Sequence, residues 1–233
     1  MSSDIVEYLK HITNQSNIYG GFIVFCLGMI GNIFNIIIFT SLKTFRETSA
    51  AFYMNITSFF NLFQLVVGLL SRIMITGYNI DPTKTSSFIC KARQYVLITT
   101  MLSIFTCMCF AVIDQFFSMT ERWRHYCNVK TAGRLVMIAI VVWCLHGIPI
   151  LLYQDLTPPE GTGPKTCGFT NFGYWAYYTR VLFPFFLGLV PLLTRIIFGL
   201  LAFINARRMQ SRRIPIVRLE RDKQLTTMVN FLI

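Results

Sequence analysis

The side chains able to carry chemistry in this chain are few and scattered. His11, His125 and His146 stand alone, without the close spacing of metal ligands and without a nucleophile–base pair. No metal, cofactor or catalytic residue is expected, and an enzyme is the class with least support. His146, one helical turn after Trp143, reads instead as a hydrogen bonder between helices. Two ionisable residues, Asp114 and Arg195, fall inside or at the edge of long apolar runs. A charge in such a setting is costly, which raises the expectation of a switch or an ion path. Amides and hydroxyls recur at helical intervals: Asn32 with Asn35, then Ser58, Asn61 and Gln64, then Thr100, Ser103, Cys107 and Asp114. Residues so spaced share a helix face, and each stripe is expected to meet a neighbouring helix.

The elements that must position these residues follow from composition. Hydrophobic residues make up 54% of the 233 and charged residues 13%, against about 25% charged in an ordinary soluble domain. Apolar runs occupy residues 18–42, 51–71, 94–113, 135–153 and, interrupted by Arg180 and Arg195, 174–205. A helix needs about 20 apolar residues to cross hydrocarbon, at about 1.5 Å each. The runs are too long, and too uniformly apolar, for the roughly ten-residue alternating strands of a barrel. Five membrane-spanning helices are predicted, over about 18–42, 51–72, 90–118, 135–153 and 174–206. Residues 1–17 read as a polar tail. The first run is too long for the core of a cleavable signal and only Lys10 precedes it as a positive side chain, so it reads as an anchor. After a basic stretch over 206–223 the chain turns apolar again, and a sixth helix is predicted to start from about residue 220 and to stop unfinished.

Charge sets the orientation. The first, third and fifth loops carry Lys43 and Arg46; Arg122, Arg124, Lys130 and Arg134; then Arg207, Arg208, Arg212, Arg213, Arg218, Arg221 and Lys223. The second and fourth carry Lys84, Lys91, Arg93 and Lys165, with Arg72 and Arg180 at their helix ends. The positive-inside rule then places the N-terminus outside and the odd loops in the cytoplasm. Most of the net charge of +11 is this basic skirt, whose natural partner is anionic membrane lipid rather than nucleic acid. Topology also sorts the seven cysteines. Cys26, Cys107, Cys109 and Cys144 lie in spans and Cys127 faces the reducing side. Cys90 and Cys167 remain on the oxidising side, and a disulfide between them is expected.

Several motifs now line up in order. Gly31-Asn32 opens the series, followed by Cys90 and, farther along the same helix, Asp114-Gln115-Phe116. Trp143 with Pro149, then Cys167, Pro191 and Arg221-Asp222-Lys223-Gln224-Leu225 complete it. Over residues 18–233 this series resembles the rhodopsin-like (class A) G-protein-coupled receptors. The resemblance implies an all-α membrane protein, a seven-transmembrane-helix receptor bundle represented by helices 1–5 and the start of helix 6, preceded by the extracellular tail 1–17. In it, Asp114, Gln115 and Phe116 stand at the Asp-Arg-Tyr switch facing the G protein, and Asn32, Asn61, Trp143 and Pro191 hold bundle positions. Arg72, Gln94, Leu97, Met101, Arg180 and Phe183 are implied as the lining of an extracellular ligand pocket. Two departures bear on mechanism: Gln115 replaces the central arginine and cannot form its ion pair, and Asn61 replaces an aspartate that binds sodium in many relatives.

The function implied is a plasma-membrane, multi-pass receptor for an extracellular ligand, a peptide rather than a cationic amine because Leu97 stands where amine receptors place an aspartate. Its cytoplasmic partner is a heterotrimeric G protein, once helices 6 and 7 complete the bundle; residues 1–233 by themselves are expected not to signal. Two other classes are a non-signalling fragment that regulates full-length relatives, and a transporter or channel subunit using Arg195 or Asp114. Broken helices or a repeated half would favour the latter. Cysteine tags placed between Arg207 and Lys223 are expected to resist impermeant thiol reagents in intact cells, and ready labelling there would invert the topology.

Overall fold

The computed structural model describes residues 2–42, 48–78, 80–120, 122–157 and 166–207. Lys43, Arg46, Lys165, the basic residues from Arg208 to Lys223 and the expected start of a sixth helix lie outside the described residues. Five helices dominate: α1 (Ser2–Ser41), α2 (Ser49–Gly77), α3 (Ser87–Ser118), α4 (Val129–Tyr153) and α5 (Phe172–Arg207). Each is long and apolar enough to cross a membrane. Between α4 and α5 sits an antiparallel hairpin, β1 (Gln154–Thr157) and β2 (Thr166–Phe169), with Leu156 opposite Cys167. Helical patterning alone gave no sign of this hairpin.

The helix boundaries depart from the apolar runs for local reasons. No glycine or proline interrupts residues 2–17, so α1 begins at Ser2 and the expected tail is its first part. Before α4, Asn128 accepts a hydrogen bond from the Thr131 amide at 2.8 Å and starts the helix at Val129. Its first turns hold Lys130 and Arg134, which an apolar window excludes. Asn171 caps α5 in the same way, through the Tyr174 amide at 3.0 Å.

α3 is the packing centre, touching α2, α4 and α5, while α1 packs on α2. One buried cluster joins Tyr53, Cys107, Ala111, Ala132 and Val136; a second joins Ile98, Leu102, Ile150, Leu182 and Leu187. Polar side chains stitch the interfaces. Asn61 donates to Asn32 Oδ1 at 3.2 Å, and Thr100 donates to Gln64 Oε1 at 2.7 Å. Trp143 Nε1 donates to Thr106 Oγ1 at 2.9 Å, and His146 Nε2 meets the Tyr177 hydroxyl at 2.8 Å. The stripes predicted from sequence therefore do face neighbouring helices, except that Asn35 points outward and is exposed. Apolar side chains such as Leu27, Val141, Leu145 and Leu200 also cover the outside. Even in α3 only 39% of the most apolar window is buried, an arrangement that suits lipid as the surrounding medium.

Backbones approach closely at Gly147 of α4. A Cβ there would lie 2.7 Å from Thr99 Cγ2 and 2.7 Å from Tyr95 Cε2, both on α3. At Gly133, by contrast, the nearest neighbour is Phe52 Cζ at 4.0 Å. Gly147→Ala is expected to lower stability by about 1–3 kcal/mol through overpacking, while Gly133→Ala is neutral or better. Thermal unfolding of the two variants in detergent compares them directly; equal midpoints would show that the α3–α4 contact yields freely.

Candidate functional site

At one end of the bundle the hairpin is fastened onto α3. Cys90, 1% exposed near the start of α3, is joined by a disulfide to Cys167 of β2, with a Cα–Cα separation of 5.7 Å. Asp155 of β1 makes a second attachment. Its carboxylate accepts from the Ser87 hydroxyl and from the Leu156 amide at 2.7 Å, and pairs with Lys91 Nζ at 3.2 Å. These donors, Ser87 foremost, hold its pKa down at about 2.

Beside the hairpin lies a cavity of about 450 Å³. Gln94 of α3, Gln154 and Phe169 of the hairpin, and Trp175 and Tyr178 of α5 line it. Gln94 Nε2 donates to the Tyr178 hydroxyl at 2.8 Å, bridging α3 and α5. Trp175 and Tyr178 stack with an interplanar angle of 13°, and Phe169 lies 5.0 Å from Tyr178 between ring centroids. Gln154 is 5% exposed; its Nε2 donates to Cys167 Sγ at 3.2 Å, while its Oε1 is buried without a partner. A wall of flat rings beside the Gln94 amide and the Tyr178 hydroxyl is chemistry for an amphipathic molecule with hydrogen-bonding groups.

Of the residues the resemblance implied for a pocket, only Gln94 lines this cavity. Leu97 packs toward Gly68 of α2, and Met101 lies against the buried cluster of Ile98 and Leu102. Arg72 is exposed and borders a separate space between α1 and α2. Arg180 and Phe183 are exposed on α5, Phe183 by 54%. The backbone of α5 forms π turns from Tyr178 to Leu189, with Pro184 inside them. Tyr178, Leu182 and Leu187 pack into the bundle, while Arg180 and Phe183 lie on the exposed side of the helix. The lining residues missed from sequence, Phe169, Trp175 and Tyr178, belong to an aromatic-rich stretch whose density was the available signal.

At the opposite end, Asp114 Oδ2 accepts from the Ser49 hydroxyl at 2.6 Å, tying α3 to the start of α2. Cys127 Sγ lies 3.7 Å from the Asp114 carbonyl, and burial, followed by the charge of Asp114, pushes its thiol up to about 11. Gln115 is exposed, and Phe116 meets Phe198 of α5 edge-on at 5.7 Å. Nearer mid-helix, Arg195 donates to Met108 Sδ at 2.7 Å and lies 5.6 Å from the centre of the Phe105 ring. Pro191 is buried in α5. Among the described residues no group of three His, Cys, Asp or Glu side chains is placed to hold a metal.

These features define a helical chain suited to a membrane, with a disulfide-anchored hairpin over a cavity. No family model and no curated protein matches the chain significantly.

The Asp155 attachment has a defined pH window. Its folded pKa is depressed from 3.8 to about 2, so its stabilising contribution is complete above the unfolded value and is lost as pH falls through about 2. Carbon NMR of the Asp155 carboxyl is expected to report a midpoint near 2. Ser87→Ala is expected to move that midpoint upward; an unmoved one would assign the depression to Lys91 and the backbone.

Proposed function

We propose that this protein is a receptor of the rhodopsin-like class, in the plasma membrane with its N-terminus and hairpin outside. It binds an extracellular peptide and, once helices 6 and 7 complete the bundle, signals to a heterotrimeric G protein. The observation that carries the reading is the cavity between α3, α5 and the disulfide-anchored hairpin. It combines aromatic walls with the amides of Gln94 and Gln154, a lining suited to a peptide. The order of motifs from Asn32 to Pro191 and the Asn32–Asn61 and Trp143–Thr106 hydrogen bonds support the same class.

The mechanism is a population shift. A peptide seated against Phe169, Trp175 and Tyr178 competes for the Gln94–Tyr178 hydrogen bond and alters how α5 rests on α3. At the Asp114 end, α5 meets α3 through Phe198 and Phe116, beside the exposed Gln115, so a displaced α5 changes the surface offered to a G protein. With Gln115 in place of arginine, Asp114 is held by Ser49 rather than by an ion pair, and the hydroxyl takes over part of the restraint.

Cells expressing the chain completed by helices 6 and 7, challenged with fractionated peptide extracts, are expected to show ligand-dependent guanine nucleotide exchange, and cells expressing residues 1–233 alone are not. Gln94→Leu is expected to weaken the response about tenfold, the loss of one buried hydrogen bond. A response unchanged in both Gln94→Leu and Tyr178→Phe would place the ligand elsewhere. No exchange with any fraction, while the completed chain reaches the cell surface, would remove the receptor reading.

A further inference from the structure

α1 is longer than a membrane is thick. Its 40 residues, Ser2–Ser41, reach about 60 Å at about 1.5 Å each, against about 30 Å of hydrocarbon. The apolar run begins at residue 18, so the part of the same helix over residues 2–17, about 24 Å, stands outside the hydrocarbon. Along this outer part Ile5, Leu9, Ile12 and Ser16 follow one another at alternating intervals of four and three. The alternation continues without a break through Tyr19, Ile23, Cys26, Ile30, Ile33 and Ile37. Such a seam repeats every 3.5 residues on average, the period of a helix wound on a second helix.

The seam has no use inside the chain. Every one of its positions is exposed, the large apolar ones by 42–68%. The opposite face of α1 meets α2, where Asn32 bonds to Asn61 and Gly21 and Gly28 lie against Ile73 and Leu65. Inside hydrocarbon, lipid covers an apolar seam. Outside it, Ile5, Leu9 and Ile12 stand in water unless protein covers them. The flanks of this outer seam, Val6, Tyr8, Thr13 and Gln15, carry no charge, while Glu7, Lys10 and His11 lie away from it.

We infer that the seam is covered by α1 of a second copy of this chain, the two helices parallel and related by a two-fold axis along the membrane normal. A second copy enters the membrane the same way round, so it presents the same seam at the same height and in register. A partner chosen by charge would be met by charged flanks. Uncharged flanks suit self-pairing, because a two-fold axis would set like charges there against each other. The interface depends neither on the cavity at Gln94 nor on the receptor reading.

The full chain, purified and reconstituted in liposomes, meets no protein but its own copies. In a Cys26→Ser background, Leu9→Cys and Ile12→Cys are expected to form disulfides between chains on oxidation with copper phenanthroline. Glu7→Cys, on the opposite face, is expected to stay monomeric. Copies of Leu9→Lys labelled with donor and acceptor fluorophores are expected to lose the energy transfer shown by the unaltered protein. A mixture of Leu9→Lys with Leu9→Glu is expected to regain it, since opposite charges then meet across the seam. Thermal unfolding checks that each variant is folded. Failure of both seam cysteines to cross-link folded protein would overturn the proposal and leave the seam to lipid or to a different protein. So would cross-linking of Glu7→Cys as efficient as that of Leu9→Cys, the mark of random collision, or energy transfer that the mixed charges do not restore.

Discussion

Inside hydrocarbon a polar group has no water to fall back on, so its partner must come from the protein. Here α3 supplies many of those partners. Thr100 answers Gln64 of α2, Thr106 answers Trp143 of α4, Gln94 answers Tyr178 of α5, and Asp114 answers Ser49. Such interhelical bonds average only about 0.6 kcal/mol each. They specify which faces meet more than they hold the helices together. Cohesion comes from the close packing around Ile98, Leu102, Ile150 and Leu182, and from contacts as tight as that at Gly147, where an added methyl costs as much as several hydrogen bonds contribute.

What could be read from residue order divides along the same physical line. Span number and the faces of α2 and α3 were legible because hydrocarbon imposes a length and a polarity on each helix, so Asn61, Gln64 and Thr100 declared themselves against an apolar background. The Cys90–Cys167 pairing was legible from sidedness. The hairpin was not, because Gln154–Thr157 and Thr166–Phe169 are four residues each and owe their pairing to the disulfide and to Asp155. The cavity lining was only partly legible. The residues implied for the pocket came from positions in the resembled family rather than from the packing of this chain's own helices. Among them, Arg180 and Phe183 lie on a face of α5 that is exposed.

The two ends of α3 are restrained in different ways. Near Cys90 it is held to the hairpin by a covalent bond and by the Lys91–Asp155 ion pair. At Asp114 it is held to α2 by the Ser49 hydroxyl. α5 reaches the intervening cavity through Gln94–Tyr178 and through ring contacts, on a stretch of widened turns containing Pro184. Of the elements around that cavity, α5 is the one whose displacement breaks the fewest strong contacts.

That asymmetry separates two events at the Asp114 end. Phe116 leans on Phe198 of α5, whereas the Asp114 carboxylate is bound to α2. A shift of α5 moves the partner ring of Phe116 and leaves the bond between Asp114 and Ser49 in place. In a bundle where an arginine joined the acid to its surroundings, the same shift would act against an ion pair. With Gln115 exposed and uncharged, no ion pair from that position adds to the restraint on α5, which rests near this end on the Phe116–Phe198 contact and, nearer mid-helix, on Arg195 against Met108 and Phe105.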